Sequence, residues 1–207
     1  MCRLCRSGAR GFDTAYCFGV YEGTLRELIH LFKYGRMKPL AKTLAAHMAS
    51  ALPLDRRFDV VVPMPLHWRR QWQRGFNQSE LLARVTAERR GIPVVKAVRR
   101  VRATSAQAGL SNAARRENVA GAFRVRKPRA IEGRRVLLID DVMTTGATAS
   151  SCALALKRAG AKSVTLLALA HVDRRLFDPA LDATETNSKA FSTAVSNTMG
   201  SKMTEVS

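Results

Sequence analysis

RVLLIDDVMTTGATASS, Arg135 to Ser151, is the stretch on which the fold turns. Val136 to Ile139 is an apolar run with β-branched ends, bounded upstream by Gly133 and downstream by two carboxylates. That pattern predicts a short strand buried on both faces. Asp140 and Asp141 stand at the strand's carboxyl end. Thr144, Thr145, Gly146, Ala147 and Thr148 follow as a small, hydroxyl-rich turn, and an alanine-rich helical stretch runs on to Gly160. In an open α/β sheet, ligands bind outside the carboxyl ends of the strands. A tight turn entering a helix offers unpaired N–H groups and the positive end of the dipole to an anion. Threonine hydroxyls add donors, and Gly146 permits a positive φ and a close approach of the backbone. Two adjacent carboxylates suit the vicinal hydroxyls of a sugar, with Mg²⁺ nearby. The expected site is a phosphate cradle beside a sugar clamp.

Two other strand–turn–helix motifs do not fit. The turn lacks the Lys that a G-x-x-x-x-G-K-[ST] loop requires. A receiver domain carries its acid pair near its start, whereas this pair follows most of the chain. The segment resembles the phosphoribosyl-pyrophosphate signature of type I phosphoribosyltransferases: an apolar strand, two acids, then T-T-G-x-T. The bland alternative is a plain strand–turn–helix with a solvated acid pair.

At 207 residues, one α/β domain with modest additions is expected, and 46% hydrophobic residues are ample for one core. No apolar run approaches the roughly 20 residues that span a bilayer, and no signal-peptide pattern opens the chain. A soluble, cytoplasmic protein without membrane insertion is the expectation. The formal charge of +19, from 35 Lys and Arg against 16 Asp and Glu, creates a field that attracts polyanions. DNA, RNA and a pyrophosphorylated sugar all satisfy that field. The four cysteines, Cys2, Cys5, Cys17 and Cys152, are too sparse for a disulfide scaffold.

Cys2 and Cys5 form one C-x-x-C pair, half of what a structural zinc site needs. Two readings stand open: a half zinc ribbon, or two reduced surface cysteines. Cys17 is a conceivable third ligand, but Tyr16-Cys17-Phe18 reads as strand core, and Cys152 reads as a small buried hydrophobe. Phe18 to Tyr21 predicts a short strand. Thr24 with Glu27 forms a capping box for a helix from Leu25 to Tyr34, with Leu25, Leu28, Ile29 and Phe32 on one face and Gly35 at its end. Lys33, Arg36 and Lys38 cluster at that end, where completing the helix dipole explains them better than phosphate binding. Pro39 opens a second helix to about Leu52, with His47 at its surface or packed.

Phe58 to Met64 opens the core, where Val60, Val61 and Val62 predict a buried parallel strand stopped by Pro63 and Pro65. The run Leu66-His67-Trp68-Arg69-Arg70-Gln71-Trp72-Gln73-Arg74 then alternates aromatics with arginines. Arginine forks suit pyrophosphate oxygens, and tryptophan beside arginine also suits single-stranded nucleic acid. A helix from Asn77 to Arg90 buries Leu81, Leu82 and Val85 and stops at Gly91. Pro93 to Val98 predicts a strand. In the last helix, Ala153, Leu154 and Leu156 point inward, and Val164 to Ala170 is a further buried strand. Alternating strand and helix patterns predict a mainly parallel sheet flanked by helices.

PMPLHWRRQWQRGFNQSELLAR is similar to a segment of ComF-type proteins, phosphoribosyltransferase-like proteins linked to natural competence and DNA uptake. Thr104-Ser105-Ala106-Gln107-Ala108-Gly109-Leu110 and Arg115 through Phe123 match, in order and spacing, that family's T-x-x-Q-x-x-L and R-x-x-N-x-x-G-A-F segments. The resemblance runs from about Cys2 to Ala170 and departs at the front, where the family usually has two cysteine pairs. It implies a type I phosphoribosyltransferase-like α/β fold with a truncated zinc-ribbon remnant, in which Cys2 and Cys5 are the zinc candidates. It implies phosphoribosyl pyrophosphate as ligand and Mg²⁺ as cofactor. Asp140 and Asp141 would be the catalytic acids on the ribose hydroxyls, and Thr144, Thr145, Gly146, Ala147 and Thr148 would hold the 5-phosphate. Leu66, His67, Arg69, Arg70 and Arg74 would form the pyrophosphate loop. Thr104, Gln107, Arg115 and Asn118 would belong to a loop that closes over the ligand, although Arg115 and Asn118 could equally cap a short helix.

The expected organisation is an N-terminal segment with a partial zinc ribbon (1–22), a hood-like helical segment (23–57), the transferase-like core (58–181) and a Ser/Thr/Asn-rich tail (182–207) whose composition favours disorder. Two functions follow. One is transfer of a phosphoribosyl group to an acceptor. The other is an accessory role in DNA uptake, with single-stranded DNA or competence proteins as partners and no turnover.

Overall fold

The computed structural model describes residues 11–35, 37–67, 72, 75–101 and 121–172. Its elements are β1 (Thr14–Val20), α1 (Gly23–Tyr34), α2 (Leu40–Ser50), β2 (Val60–Pro63), α3 (Gln78–Arg90), β3 (Val98–Arg100), β4 (Phe123–Val125), a 3-10 turn (Pro128–Ala130), β5 (Arg135–Met143), α4 (Ala147–Arg158) and β6 (Ser163–His171). β1, β6, β5 and β2 lie side by side in that order, every pair parallel. Parallel strands need crossover helices, and those helices cover both faces.

The period of two along each strand divides the core into halves. Val60, Val62, Val136, Leu138, Val164 and Leu166 face α4 and the β3–β4 ribbon, packing on Cys152, Ala153, Leu156 and Phe123. Val61, Leu137, Ile139, Leu167 and Leu169 face the other way, against Ile29, Phe32, Leu44, Met48 and Leu82 of the three earlier helices. β1, α1 and α2 therefore pack on the same sheet as the signature strand. β2 and β5 are clamped at their starts: Arg135 donates Nε to Asp59 Oδ2 at 3.0 Å and Nη2 to Oδ1 at 2.6 Å. That fork holds the Asp59 carboxyl well below the usual carboxylate range.

Several local expectations change. The signature strand does not stop at Ile139 but runs to Met143, because β6 continues beside it, with Val142 opposite Ala170 and Met143 opposite His171. The expected strand over Pro93–Val98 reduces to one bridge, Val94 to Val61, and regular pairing starts at Val98, antiparallel to β4. Pro93 has no N–H for a ladder, and the chain turns there to bury Ala97 and Val98 over the sheet. α1 begins at Gly23 after an extended Glu22, with no side-chain cap, so the Thr24–Glu27 capping box does not form. Gly35 ends α1 with an ordinary φ of −76. Its glycine answers a close approach instead, since a Cβ there would lie 2.8 Å from the Leu31 carbonyl oxygen. Leu154 is 43% exposed. The inward face of α4 is Ala149, Cys152, Ala153 and Leu156, a run at helical spacing. No helix among the described residues is long and apolar enough to cross a membrane.

Candidate functional site

β2 ends at Pro63, opposite Ile139, while β5 continues. The space that β2 vacates is where the two carboxylates sit. The Met64 N–H still reaches the Ile139 carbonyl at 2.8 Å. Two residues on, the Asp141 N–H has no β2 residue to meet and donates to Asp140 Oδ1 at 2.9 Å. The Val142 N–H donates in the same way to Asp141 Oδ1 at 2.7 Å.

Two helices reach the pair from outside the strand. Asn77 caps α3, its Oδ1 accepting from the Ser79 N–H at 3.1 Å, and its Nδ2 donates to the Met64 carbonyl at 3.0 Å. So tied to the end of β2, the helix brings Ser79 Oγ to Asp140 Oδ1 at 3.2 Å. From α1, Lys33 Nζ lies 3.0 Å from Asp141 Oδ2, with side chains only 14% and 15% exposed. Burial pushes the Asp140 carboxyl up to about 7, and the Asp141 charge beside it pushes the same way. The Asp141 N–H, Lys33 and Ser79 pull it back.

The turn follows directly. Gly146 sits at φ 73 before the first residue of α4. A Cβ there would find only ordinary contacts with Phe12 and Met143, at 3.7 and 3.8 Å, so the backbone angle and not the space demands glycine. The Ala147 N–H is taken by Thr145 Oγ1 at 3.2 Å. Thr145 therefore stabilises the turn as an acceptor. Among the described residues no hydrogen bond claims the N–H of Gly146 or Thr148. Asp140, Asp141, Thr144, Gly146 and Thr148 line one cavity of about 330 Å³, together with Lys33, Ser79, Arg100 and Tyr21. Carboxylate acceptors and a hydroxyl-bearing helix entry thus line the same cavity, a combination that suits a sugar phosphate.

Comparison with known proteins agrees with this architecture. Residues 76–196 match the phosphoribosyl transferase domain family. The chain is 37% identical over 159 residues to the DNA utilization protein YhgH of Salmonella typhi, covering 72% of this chain and 68% of that protein. It is 32% identical over 177 residues to the Competence protein F of Haemophilus influenzae, covering 82% of this chain and 77% of that one. The chain belongs to the ComF family. Among solved structures, the glutamine phosphoribosylpyrophosphate amidotransferase of B. subtilis overlaps 62% of this chain and 26% of its own at 25% identity, with a TM-score of 0.44.

Within this ComF protein, the expected residues separate into those brought together and those that are not. Asp140, Asp141, Thr144, Gly146 and Thr148 share the cavity, while Thr145 and Ala147 shape the turn behind it. Of the loop after β2, Pro65 and Leu66 line the cavity, and His67, only 8% exposed, is not part of its lining. Arg69, Arg70 and Arg74, with Trp68, lie outside the described residues, as do Thr104, Gln107, Arg115, Asn118, Cys2, Cys5 and the tail from 182. Cys17 is half-buried in β1 and takes no part in a disulfide. Burial pushes the Cys152 thiol up, which leaves it an inert hydrophobe.

Lys33, Ser79 and Arg100 are among the cavity residues that were not anticipated. Lys33 reads from sequence as a helix-dipole partner, yet it pairs with Asp141. Ser79 and Arg100 carry no motif of their own. Ser79 follows a recognisable Asn cap, which is the one sequence signal that fixes its place. Arg100 is inward by strand alternation between exposed Arg99 and Val101, a pattern visible only once the strand's true register is known.

Proposed function

We propose that this chain binds phosphoribosyl pyrophosphate, accompanied by Mg²⁺, and that the site is built for phosphoribosyl transfer. The observation that carries this reading is the convergence of the acid pair with Thr144, Gly146 and Thr148 on one cavity of about 330 Å³. In this reading the amides and hydroxyls of the turn take the 5-phosphate, and Asp140 and Asp141 accept from the ribose hydroxyls. The segment from Pro65 to Arg74 lies on the pyrophosphate side. The bond between the anomeric carbon and pyrophosphate breaks as an acceptor's nucleophile bonds to that carbon. Positioning and charge stabilisation supply most of the acceleration.

When bound, Mg²⁺ would supply positive charge against that developing on the departing pyrophosphate. Among the described residues no group of three or more His, Cys, Asp or Glu converges, and Asp141 is already paired with Lys33. The cation therefore fits as one carried by the ligand's phosphates, the usual habit of Mg²⁺ at phosphoryl sites. The names of the ComF relatives support a role in DNA uptake or utilisation.

Isothermal calorimetry with phosphoribosyl pyrophosphate and Mg²⁺ tests the reading. The wild-type chain is expected to bind, with a melting point that keeps rising with the logarithm of ligand concentration above Kd; at a hundredfold excess over Kd the stabilisation is about 2.7 kcal/mol. Asp140→Asn combined with Asp141→Asn is expected to abolish binding. Unchanged affinity in that variant would overturn the assigned roles.

A second reading, binding of single-stranded nucleic acid, is favoured by two surface observations. Trp72 is 87% exposed in the run that interleaves aromatics with arginines. Arg99 and Arg124 lie directly opposite each other on the outer side of the β3–β4 ribbon. Like charges so placed repel, and a bound phosphate would relieve that repulsion.

A further inference from the structure

Lys33 touches the acid pair, yet it stands outside the signature and outside the matched residues 76–196. Its position is fixed from behind. Ile29 and Phe32 of α1 are fully buried, and Phe32 packs on Phe76 with ring centroids 5.7 Å apart. That sets the rotation of the helix and turns the neighbouring Lys33 into the cavity it lines.

The two oxygens of Asp141 are then held separately, Oδ1 by the Val142 N–H at 2.7 Å and Oδ2 by Lys33 Nζ at 3.0 Å. A carboxylate oxygen has about two acceptor positions, so each keeps one for a ligand hydroxyl. Without the cation, among the described residues an adjacent backbone N–H would be left to restrain a terminal torsion that is intrinsically broad.

We propose that Lys33 is a positioning residue that aims the Asp141 carboxylate at the ligand, and that helix α1 thereby sets the site's preference for a sugar bearing a vicinal diol. This rests on the reading of the cavity as a sugar-phosphate site. It makes the N-terminal helix part of the binding machinery, with the family-matched region supplying the acids and α1 supplying their alignment. The other charged or titratable groups at the cavity are Asp140 on the same strand, Arg100 on β3 and Tyr21 after β1.

Calorimetry with two probes separates the possibilities: ribose 5-phosphate, and its analogue lacking both hydroxyls of the diol. The wild-type chain is expected to prefer ribose 5-phosphate. Lys33→Met is expected to lose roughly tenfold in affinity for ribose 5-phosphate, the size of one charge-assisted contact, while binding the analogue as before. Lys33→Arg should recover most of the preference, which a merely structural role would not predict. Asp141→Asn should lose the same preference, and adding Lys33→Met to it should cost nothing more, because the two act as one unit. Melting of each ligand-free variant checks folding, and Lys33→Gln replaces Lys33→Met if the latter does not fold. A Lys33→Met or Lys33→Gln variant that keeps the full preference overturns the inference. A wild-type chain with no preference overturns the sugar-clamp reading itself.

Discussion

Asp140 is a carboxyl whose burial in the candidate site works against the fold. Burial, and after it the Asp141 charge alongside, raises its folded-state value to about 7 from an ordinary 3.8. The folded chain thus holds a proton that the unfolded chain has released. Stability consequently falls as pH rises between those two values and stays low above them. Asp140→Asn keeps an oxygen to accept from the Asp141 N–H and from Ser79 but removes the charge. It is expected to stabilise the ligand-free protein above pH ~7 by at least ~1 kcal/mol, roughly 2–4 °C in Tm, and to make no such gain at pH ~4. Thermal melts of wild type and variant across that pH range check the sign. A gain equal at both pH values would mean that Asp140 is not the group responsible.

At the scale of an element, α4 separates what helical spacing predicts from what packing decides. Its apolar residues Leu154 and Leu156 look equivalent in sequence, yet Leu156 is fully buried and Leu154 is 43% exposed. Leu156→Ala is expected to cost about 2–5 kcal/mol through lost burial and a cavity. Leu154→Gln is expected to stay within about 0.5 kcal/mol of wild type. Urea denaturation of the two variants checks the contrast, and equal losses would move the inward face of α4. The same helix carries the turn at its start, so the packing of Ala149, Cys152, Ala153 and Leu156 holds Gly146 and Thr148 in register with the acids of β5. On the other side of the sheet, α3 and α1 deliver Ser79 and Lys33 to the same point. One strand end thus collects contributions from both layers.

For the whole molecule, the excess of positive charge, +19, is the dominant long-range property. If the second functional reading holds, single-stranded DNA affinity should fall steeply with salt, each phosphate contact contributing roughly 0.7 to the slope of log K against log salt. Arg99→Ser with Arg124→Ser should then reduce that slope by about 1.4. Trp72→Ala should weaken binding by the roughly 1–3 kcal/mol of one stacked base while leaving the slope intact. Fluorescence anisotropy over a salt series checks both. A slope unmoved by the arginine pair would leave the ribbon without a part in nucleic-acid binding.

The sequence alone determined the α/β architecture, the strand–acid–turn–helix order of the signature, the positive φ at Gly146 and the ComF relationship, because all of these are properties of neighbours along the chain. Periodicity, caps and motif order are local, so they survive without coordinates. Tertiary structure alone decided that β5 would outrun β2, and with that where the acid pair faces and how far burial raises Asp140. It also decided that Lys33, more than a hundred positions before Asp141, would be its counter-ion. Those outcomes depend on which strand ends first and how a helix is rotated by its buried residues, and such long-range packing leaves no pattern in the immediate sequence.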